Sequence, residues 1–296
     1  MTVGAIYALV ALGYTLVYGV LRLINFAHSE IFMIGTFGAL FAAQAMNIDG
    51  PQTGIMLVLT LVGCAIAAML ASGVSAVVLE RIAYRPLRRR GASRLAALIS
   101  AIGASFFLQE AFARWRGRDN EPYAEVLQTR RLFSIMGTDV TNRRVLVIVA
   151  AILMMIALDQ IVKQTRLGRG IRAVAQDSET ATLMGVNIDR VVLYTFLLGG
   201  LMAGAAAQLH SLMFPVTRYD VGFIFGIKAF TAAVLGGIGN LRGALLGGIV
   251  LGLIENWGAA IWSSEWKDVI AFTVLVVVLM FRPTGLLGES LAKARA

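Results

Sequence analysis

The sequence predicts an all-α, polytopic integral membrane protein, and three observations support that prediction. Hydrophobic residues make up 58% of the 296 residues, charged residues make up only 15%, and the mean hydropathy is +0.78. Soluble domains are about half apolar and about a quarter charged. Apolar runs recur along the whole chain, and no stretch is polar enough to form a separate soluble domain. We therefore expect a single membrane domain over residues 1–296.

The apolar runs predict the individual membrane helices. A bilayer core about 30 Å thick needs roughly 20 apolar residues as a helix, and fewer where neighbouring helices bury a re-entrant segment. On this basis we expect about 8 to 10 transmembrane or re-entrant helical segments. The candidates are residues 3–21, 30–47, 54–79, 95–113, 145–162, 191–212, 223–236, 243–262 and 268–281.

Two basic segments predict how these helices are oriented. Residues 81–94 carry six arginines and no acidic residue, and residues 163–190 carry five more basic residues. Because cytoplasmic loops of membrane proteins are enriched in Lys and Arg, both segments should face the cytoplasm. The same loops account for much of the formal charge of +9, so we do not expect nucleic acid as a partner.

The sequence lacks the motifs of the common enzyme classes that act on nucleotides, peptides or esters. It contains no G-x-x-x-x-G-K-[ST] phosphate loop, no H-E-x-x-H and no G-x-S-x-G. Its one cysteine, Cys64, and its two histidines, His28 and His210, lie far apart and show no metal-ligand spacing. We expect no catalytic residue and no metal site, and a membrane-embedded hydrolase is disfavoured.

Glycines recur at close spacing in residues 235–252 (LGGIGNLRGALLGGIVLG). Gly243 and Gly247 are four residues apart, as are Gly248 and Gly252. Small residues at this spacing form a ridge that lets helix backbones approach closely. An irregular re-entrant turn that lines a pathway is the alternative, and the spacing leaves both open with helix packing favoured.

The second basic segment contains a pattern typical of an ATPase-docking loop. The stretch GRGIRAVAQDSETATLMGVNIDRVVLYTF (168–196) is polar, helix-like and bounded by glycines. Within it, Glu179, Ala181 and Gly185 fit the E-x-A-x-x-x-G core by which permeases of ABC importers engage their ATPases. Thr180 replaces the usual alanine, and the downstream I-x-L-P is missing. A solvated connector is the alternative interpretation of this segment.

Six stretches of the chain carry a resemblance to one known family. They are ALGYTLVYGVLRLINFAHSEIFMIG (11–35), ERIAYRPLR (80–88), LISAIGASFFLQ (98–109), RAVAQDSETATLMGVN (172–187), KAFTAAVLGGIGNLRGALLGG (228–248) and FRPTGLLG (281–288). Through them the chain resembles the LivH-like permeases of bacterial branched-chain amino acid ABC importers, from about Gly4 to Leu287. One departure is Ser29, which stands where the family usually has glycine after NFAH.

The resemblance implies a non-catalytic permease subunit for leucine, isoleucine and valine in the bacterial inner (plasma) membrane. A second related permease, two cytoplasmic ATPases that bind ATP-Mg, and a periplasmic or extracellular solute-binding protein would complete the importer. This chain would bind no cofactor, and membrane lipid would surround it. Residues 163–190 would be the coupling loop. The residues that contact the ATPases would be Gln176, Asp177, Glu179, Ala181 and Gly185.

Polar residues in or beside the apolar runs are candidates for the translocation pathway. A zwitterionic substrate needs its charges paired during passage, but only weakly, because tight capture would slow its release. We expect six residues to line or brace the pathway, with the last three facing the first three. They are Asn25, His28, Glu30, Lys228, Asn240 and Glu255.

Plainer interpretations of these residues stay open. His28 could belong to a hydrogen-bonded helix start, with Ser29 as the cap and Glu30 in the first turn. Lys228 could extend its ammonium group to the membrane interface.

Two other functions also stay open. A permease of a related urea or short-chain amide importer would carry similar motifs. An ion-coupled secondary transporter would need ionisable groups within its spans, and Glu30, Lys228 and Glu255 are the candidates.

Overall fold

The computed structural model describes residues 1–48, 50–135, 138–282 and 284–288. Pro283 and residues 289–296, which belong to the predicted single domain, lie outside the described residues. The described helices are α1 (Thr2–Leu21), α2 (His28–Ala45), α3 (Gly54–Leu79), α4 (Arg85–Arg89), α5 (Arg94–Arg116), α6 (Asn142–Gln164), α7 (Arg166–Gln176), α8 (Ser178–Leu183), α9 (Ile188–Met213), α10 (Val221–Gly236), α11 (Leu241–Ile261) and α12 (Lys267–Phe281).

Each predicted apolar segment coincides with one of these helices, to within a few residues at each end. Among the described residues, six helical segments are long and apolar enough to cross a membrane. They contain α1, α3 with α4, α5, α6, α9 and α11. The helix α10 is shorter but apolar. The predicted all-α, polytopic membrane fold is therefore confirmed.

Two helices form the centre of the bundle. Every residue of α1 from Gly4 to Val17 is buried, and so is every residue of α9 from Met202 to Leu212. Burial on all sides shows that other helices, and not lipid, surround these two. The helices α3, α5 and α6 instead expose apolar faces, such as Leu59 at 57% exposure, as lipid-facing helices do.

The glycines of α11 pack this helix against two neighbours. A Cβ atom on Gly4 of α1 would lie 2.7 Å from the carbonyl oxygen of Gly248 and 3.2 Å from the Cα of Gly252. On another face, Gly247 approaches the backbone of Gly236 in α10. Because α11 is one continuous helix through these positions, the packing interpretation of the glycine ridge is correct.

Among the described residues, four short strands lie at one end of the bundle. The strand β1 (Glu121–Pro122) pairs with β4 (Val216–Thr217), and β2 (Arg131–Ile135) forms a hairpin with β3 (Thr138–Thr141). We call this the hairpin end. The first three strands lie between α5 and α6, and β4 lies between α9 and α10.

Both basic segments lie at the opposite end, which we call the basic end. Three arginines of the first segment, Arg85, Arg88 and Arg89, form ion pairs with Asp189, at the start of α9. Arg22, just after α1, donates hydrogen bonds to the last carbonyls of α7. The two segments are thus neighbours, as expected if they face the same side of the membrane.

Candidate functional site

Residues 22–27, which include the first four residues of INFAH, form the turn between α1 and α2; we call it the buried turn because Asn25 and Ala27 within it are buried. Arg22 adopts a left-handed conformation with φ of 53°, and this conformation ends α1. After the turn, Asn25, His28 and Glu30 are each no more than 2% exposed. The turn therefore brings polar side chains back into the bundle and is not a surface loop.

The helix α2 begins at His28, with Ala27 at the N-cap position. The interpretation of Ser29 as the cap is therefore wrong, because Ser29 already lies in the first turn of the helix. Its hydroxyl group donates a hydrogen bond of 2.7 Å to the carbonyl oxygen of Phe26. Ser29 also packs against Gly226 of α10, where a Cβ atom would overlap its side chain.

The imidazole of His28 fills a notch between two glycines. A Cβ atom on Gly13 of α1 would overlap the ring, and one on Gly199 of α9 would lie 3.7 Å from it. Tyr14 packs edge-on against the ring, with 4.8 Å between the ring centroids. Within the described residues, Nε2 of His28 has no hydrogen-bond partner. His28 thus connects α2 to α1 and α9 by van der Waals packing of its ring.

The carboxylate of Glu30 is fully buried and is held by hydroxyl groups. Ser105 of α5 donates a hydrogen bond of 3.1 Å to Oε1, and the hydroxyl oxygen of Ser29, whose hydrogen is directed mainly to Phe26, lies 3.3 Å from the same atom. The other oxygen, Oε2, has no hydrogen-bond partner in the part of the chain that the structure describes. Glu30 is the polar contact between α2 and the largely exposed helix α5.

Lys228 lies in a separate cluster with two carboxylates. Its ammonium group is 2.6 Å from Glu255 of α11 and 2.5 Å from Asp268 of α12. The side chains of Lys228 and Glu255 are 9% and 4% exposed. This ion-pair triad joins α10, α11 and α12, and it extends from buried Glu255 to Asp268, whose side chain is 49% exposed.

The structure does not bring the six predicted pathway residues together. On α10, Gly226 contacts Ser29, and Lys228 lies two positions further on, about 200° around the helix. The helix α10 therefore separates the Lys228 triad from the turn. Asn240 is further away still, because it caps α11 and lies 15 positions before Glu255, about 22 Å along the helix.

Asn240 has a local structural role. Its side-chain oxygen accepts hydrogen bonds from the amides of Arg242 and Gly243, and its amide group donates one of 2.8 Å to the carbonyl oxygen of Leu287. These contacts satisfy free amides at the start of α11. They also hold the segment after α12 against the α10–α11 turn.

A cavity of about 390 Å³ opens beside Lys228 at the hairpin end. Charged and polar side chains, among them Gln109, Asn120 and Asp220, line it together with Phe225. Sequence reasoning missed Asp220 and Gln109, because nothing in their local pattern distinguishes them from ordinary polar residues beside a span.

The predicted coupling loop forms two short helices, α7 and α8, at the basic end. Asp177 caps α8: its Oδ1 accepts hydrogen bonds from the amides of Glu179, at 2.9 Å, and Thr180, at 3.3 Å. The Thr180 hydroxyl donates to Oδ2 at 2.6 Å. These hydrogen bonds, with that of the hydroxyl group foremost, hold the pKa of Asp177 below its ordinary value.

Two large apolar side chains, those of Leu183 at the end of α8 and Met184 just after it, are exposed beside the polar surface of this helix. Leu183 and Met184 are 87% and 80% exposed. Ala181 is buried, so it anchors the helix to the rest of the chain. Gly185 follows with a φ of 83°, which turns the chain toward α9. Sequence reasoning missed Leu183 and Met184, although both lie inside the quoted E-x-A-x-x-x-G core.

The chain is similar to known proteins over nearly its full length. A family model described as the permease component of branched-chain amino acid transport systems matches residues 1–279. The high-affinity branched-chain amino acid transport system permease protein BraD of Pseudomonas aeruginosa is 42% identical over 292 residues, which cover 98% of this chain and 94% of that protein. The corresponding protein LivH of Escherichia coli is 40% identical, with 98% and 93% covered.

A more distant relative is archaeal. The probable branched-chain amino acid transport permease protein LivH of Methanocaldococcus jannaschii is 24% identical over 300 residues, which cover 97% of this chain and 90% of that protein. Both the family match and the bacterial identities extend across the buried turn, the triad and the coupling loop. The chain therefore belongs to the family of permease components of branched-chain amino acid transport systems.

Proposed function

We propose that the chain is the permease subunit of an ABC importer that moves leucine, isoleucine and valine across the bacterial inner membrane. The observation that carries this proposal is the 42% identity, over 98% of the chain, to a protein named as a high-affinity branched-chain amino acid permease. Separate ATPases would supply the energy and bind ATP-Mg. A second related permease and an external solute-binding protein would complete the importer.

We also propose residues 163–190 as the coupling loop that contacts the ATPases. Gln176, Asp177 and Glu179 lie on its exposed surface, and Leu183 and Met184 add an apolar patch. Large apolar side chains exposed outside a membrane favour a protein partner that covers them. Ala181, which is buried, and Gly185, which has a left-handed backbone conformation, would contribute to docking by holding α8 in position.

For the pathway, we propose that Asn25, His28 and Glu30 brace one wall of the bundle near the buried turn. Lys228 and Glu255 would stabilise the helices beside the cavity at the hairpin end. Asn240, as a helix cap, would act on the pathway only by fixing where α11 begins. In this arrangement the wall offers few polar groups, which suits a carrier that receives its substrate from a binding protein and must release it.

The test of the transport function is reconstitution of the chain with its partner subunits in liposomes. We expect uptake of labelled leucine, isoleucine and valine that requires both ATP and the loaded binding protein. Uptake of urea or acetamide, without uptake of the amino acids, would show that the chain belongs to a urea or short-chain amide importer instead. Uptake by the purified chain alone, without ATP and driven by an ion gradient, would overturn the proposal in favour of a secondary transporter.

The test of the coupling loop is purification of the assembly in mild detergent. We expect Glu179→Arg to lose the ATPases while the two permeases stay together. Glu265→Arg is the matched control, because it makes the same charge change on an exposed residue at the hairpin end. Retention of the ATPases by Glu179→Arg, or their loss in both variants, would contradict the assignment of this loop.

A further inference from the structure

The buried turn is tied to the first basic segment by one hydrogen bond. The hydroxyl group of Tyr84 donates to Oδ1 of Asn25 at 2.9 Å. Both side chains are buried, at 3% and 2% exposure, and Nδ2 of Asn25 has no hydrogen-bond partner among the described residues. Because the site is buried, loss of the Tyr84 hydroxyl group would leave Oδ1 of Asn25 without a donor, which is costly. This bond therefore holds the turn in position.

Tyr84 lies in an unusual segment of backbone. Residues Glu80–Tyr84 form a π-helical turn between α3 and α4. Such turns are rare, and they occur frequently at functional sites. A return to α-helical winding would rotate the residues beyond the turn by about 100°, the angle per residue of an α-helix, and would take Tyr84 away from Asn25. The position of the Tyr84 hydroxyl group beside Asn25 therefore depends on the π-helical winding of this turn.

The same turn is joined to the start of α9. Glu80 is fully buried and accepts a hydrogen bond of 3.2 Å from Arg88. A second contact of Arg88, at 2.6 Å, is with Asp189. Asp189 lies four positions after Gly185, where the coupling loop passes into α9. Because Glu80 is buried, its loss of Arg88 would leave a carboxylate without a cation, which makes the connection costly to break.

We propose that these five residues form a relay that carries a displacement of the coupling loop to the buried turn. The relay consists of Asp189, Arg88, Glu80, Tyr84 and Asn25. Tyr84 is a positioning residue in this scheme, because it sets the position of Asn25 and does not need to touch the substrate. The inference rests on the proposed function, since it requires ATPases that move the coupling loop. The π turn would be the element with two states.

The first test is Tyr84→Phe in the complete reconstituted importer. We expect normal assembly, and ATP hydrolysis within about twofold of the unmodified importer. The number of substrate molecules moved per ATP should fall about fivefold, because a change of this size corresponds to the loss of one buried hydrogen bond. The matched control is Tyr123→Phe, which removes a buried tyrosine hydroxyl 3.3 Å from Gln208 at the hairpin end. Equal losses in both variants would indicate general loosening and overturn the relay.

The second test is a double-mutant cycle on transport per ATP. If the relay is one path, Tyr84→Phe combined with Asp189→Asn should lose no more than the worse single variant. Additive losses would overturn it. Arg22 offers a second route, because it contacts the carbonyls of Ala175 and Gln176 directly, although this contact is exposed. If Arg22→Gln lowers transport per ATP and Tyr84→Phe does not, the relay is overturned.

Assembly and transport of the unmodified importer distinguish a failure of this inference from a failure of the proposed function. If it assembles with the ATPases and transports amino acids while Tyr84→Phe is unchanged, only the relay fails. If the unmodified chain neither binds ATPases nor transports with ATP, the proposed function fails and the relay fails with it.

Discussion

The ammonium group of Lys228 lies 2.6 Å from a carboxylate oxygen of Glu255, and both side chains are buried in the bundle. A buried ion pair gives little net stability compared with apolar residues, but removal of one partner is costly because the other charge stays buried. The pair therefore constrains which substitutions α10 and α11 can accept.

Lys228→Met should lower the free energy of unfolding by about 3 to 5 kcal/mol, because it leaves Glu255 without a cation. Thermal unfolding of the purified chain in detergent measures this change. The matched control is Lys163→Met, because the pair of Lys163 with Asp159 is 44% and 30% exposed and should contribute no more than about 1 kcal/mol. Equal effects of the two substitutions would contradict the structural role of the triad.

Gly13→Ala should destabilise the bundle, because its methyl group would overlap the imidazole of His28. Overpacking of this kind costs about 1 to 3 kcal/mol. Gly103→Ala on α5 is the control: no atom lies within 4 Å of a Cβ there, so the higher helix propensity of alanine should make it neutral or stabilising. A second variant, Gly13→Ala with His28→Ala, should recover part of the loss. Failure of His28→Ala to relieve the defect would show that the ring does not fill this notch.

The cap formed by Asp177 should persist across the physiological pH range. A carboxyl group whose pKa is lower in the folded state stabilises that state above its unfolded pKa, and loses this contribution as the pH falls through the folded value. Because the pKa of Asp177 is lowered, hydrogen-exchange protection of the Thr180 amide should be unchanged between about pH 8 and pH 5, after correction for the intrinsic rate. Asp177→Ala should lose the protection throughout, and Asp177→Asn should keep it. Protection that falls already between pH 7 and pH 5 would contradict this account.

Gly185→Val should displace α8 and reduce recovery of the ATPases with the permease. The φ of 83° at Gly185 lies in the left-handed region, which costs a residue with a side chain roughly 1 to 2 kcal/mol. Gly185→Asn is the control, because asparagine tolerates this conformation better than other residues. The measurement is the amount of ATPase that co-purifies in mild detergent. Full recovery with valine would show that the turn is not needed for docking.

The helices could be predicted from the sequence because each depends on a local property. Apolar length alone located the segments that became α1 and α9, and the basic loops predicted that residues 81–94 and 163–190 share one side. The cap by Asp177 was not predicted as such, but the residues of the coupling loop were. All these features depend on the composition of one continuous segment and not on which segments pack together.

The partners of the buried polar groups could not be predicted in the same way. The sequence indicated that Lys228 needs a carboxylate, a carbonyl or water as its partner. That the partners are Glu255 and Asp268 depends on how α10, α11 and α12 are rotated about their axes. The expectation that Lys228 would face Glu30 did not allow for the backbone of α10 between them. The π turn at Tyr84 is also hidden, because one extra residue per turn leaves no mark on hydropathy.

The close contact of α1 with α11 has a consequence for the gene that encodes this chain. Any change in the first or second base of a glycine codon introduces a larger residue or a stop. At Gly4, Gly248 and Gly252 even the smallest of these side chains would overlap the backbone of the other helix. Random mutagenesis with selection for amino acid uptake should therefore recover only silent changes at these three codons, whereas the lipid-facing positions of α3 should accept many apolar replacements.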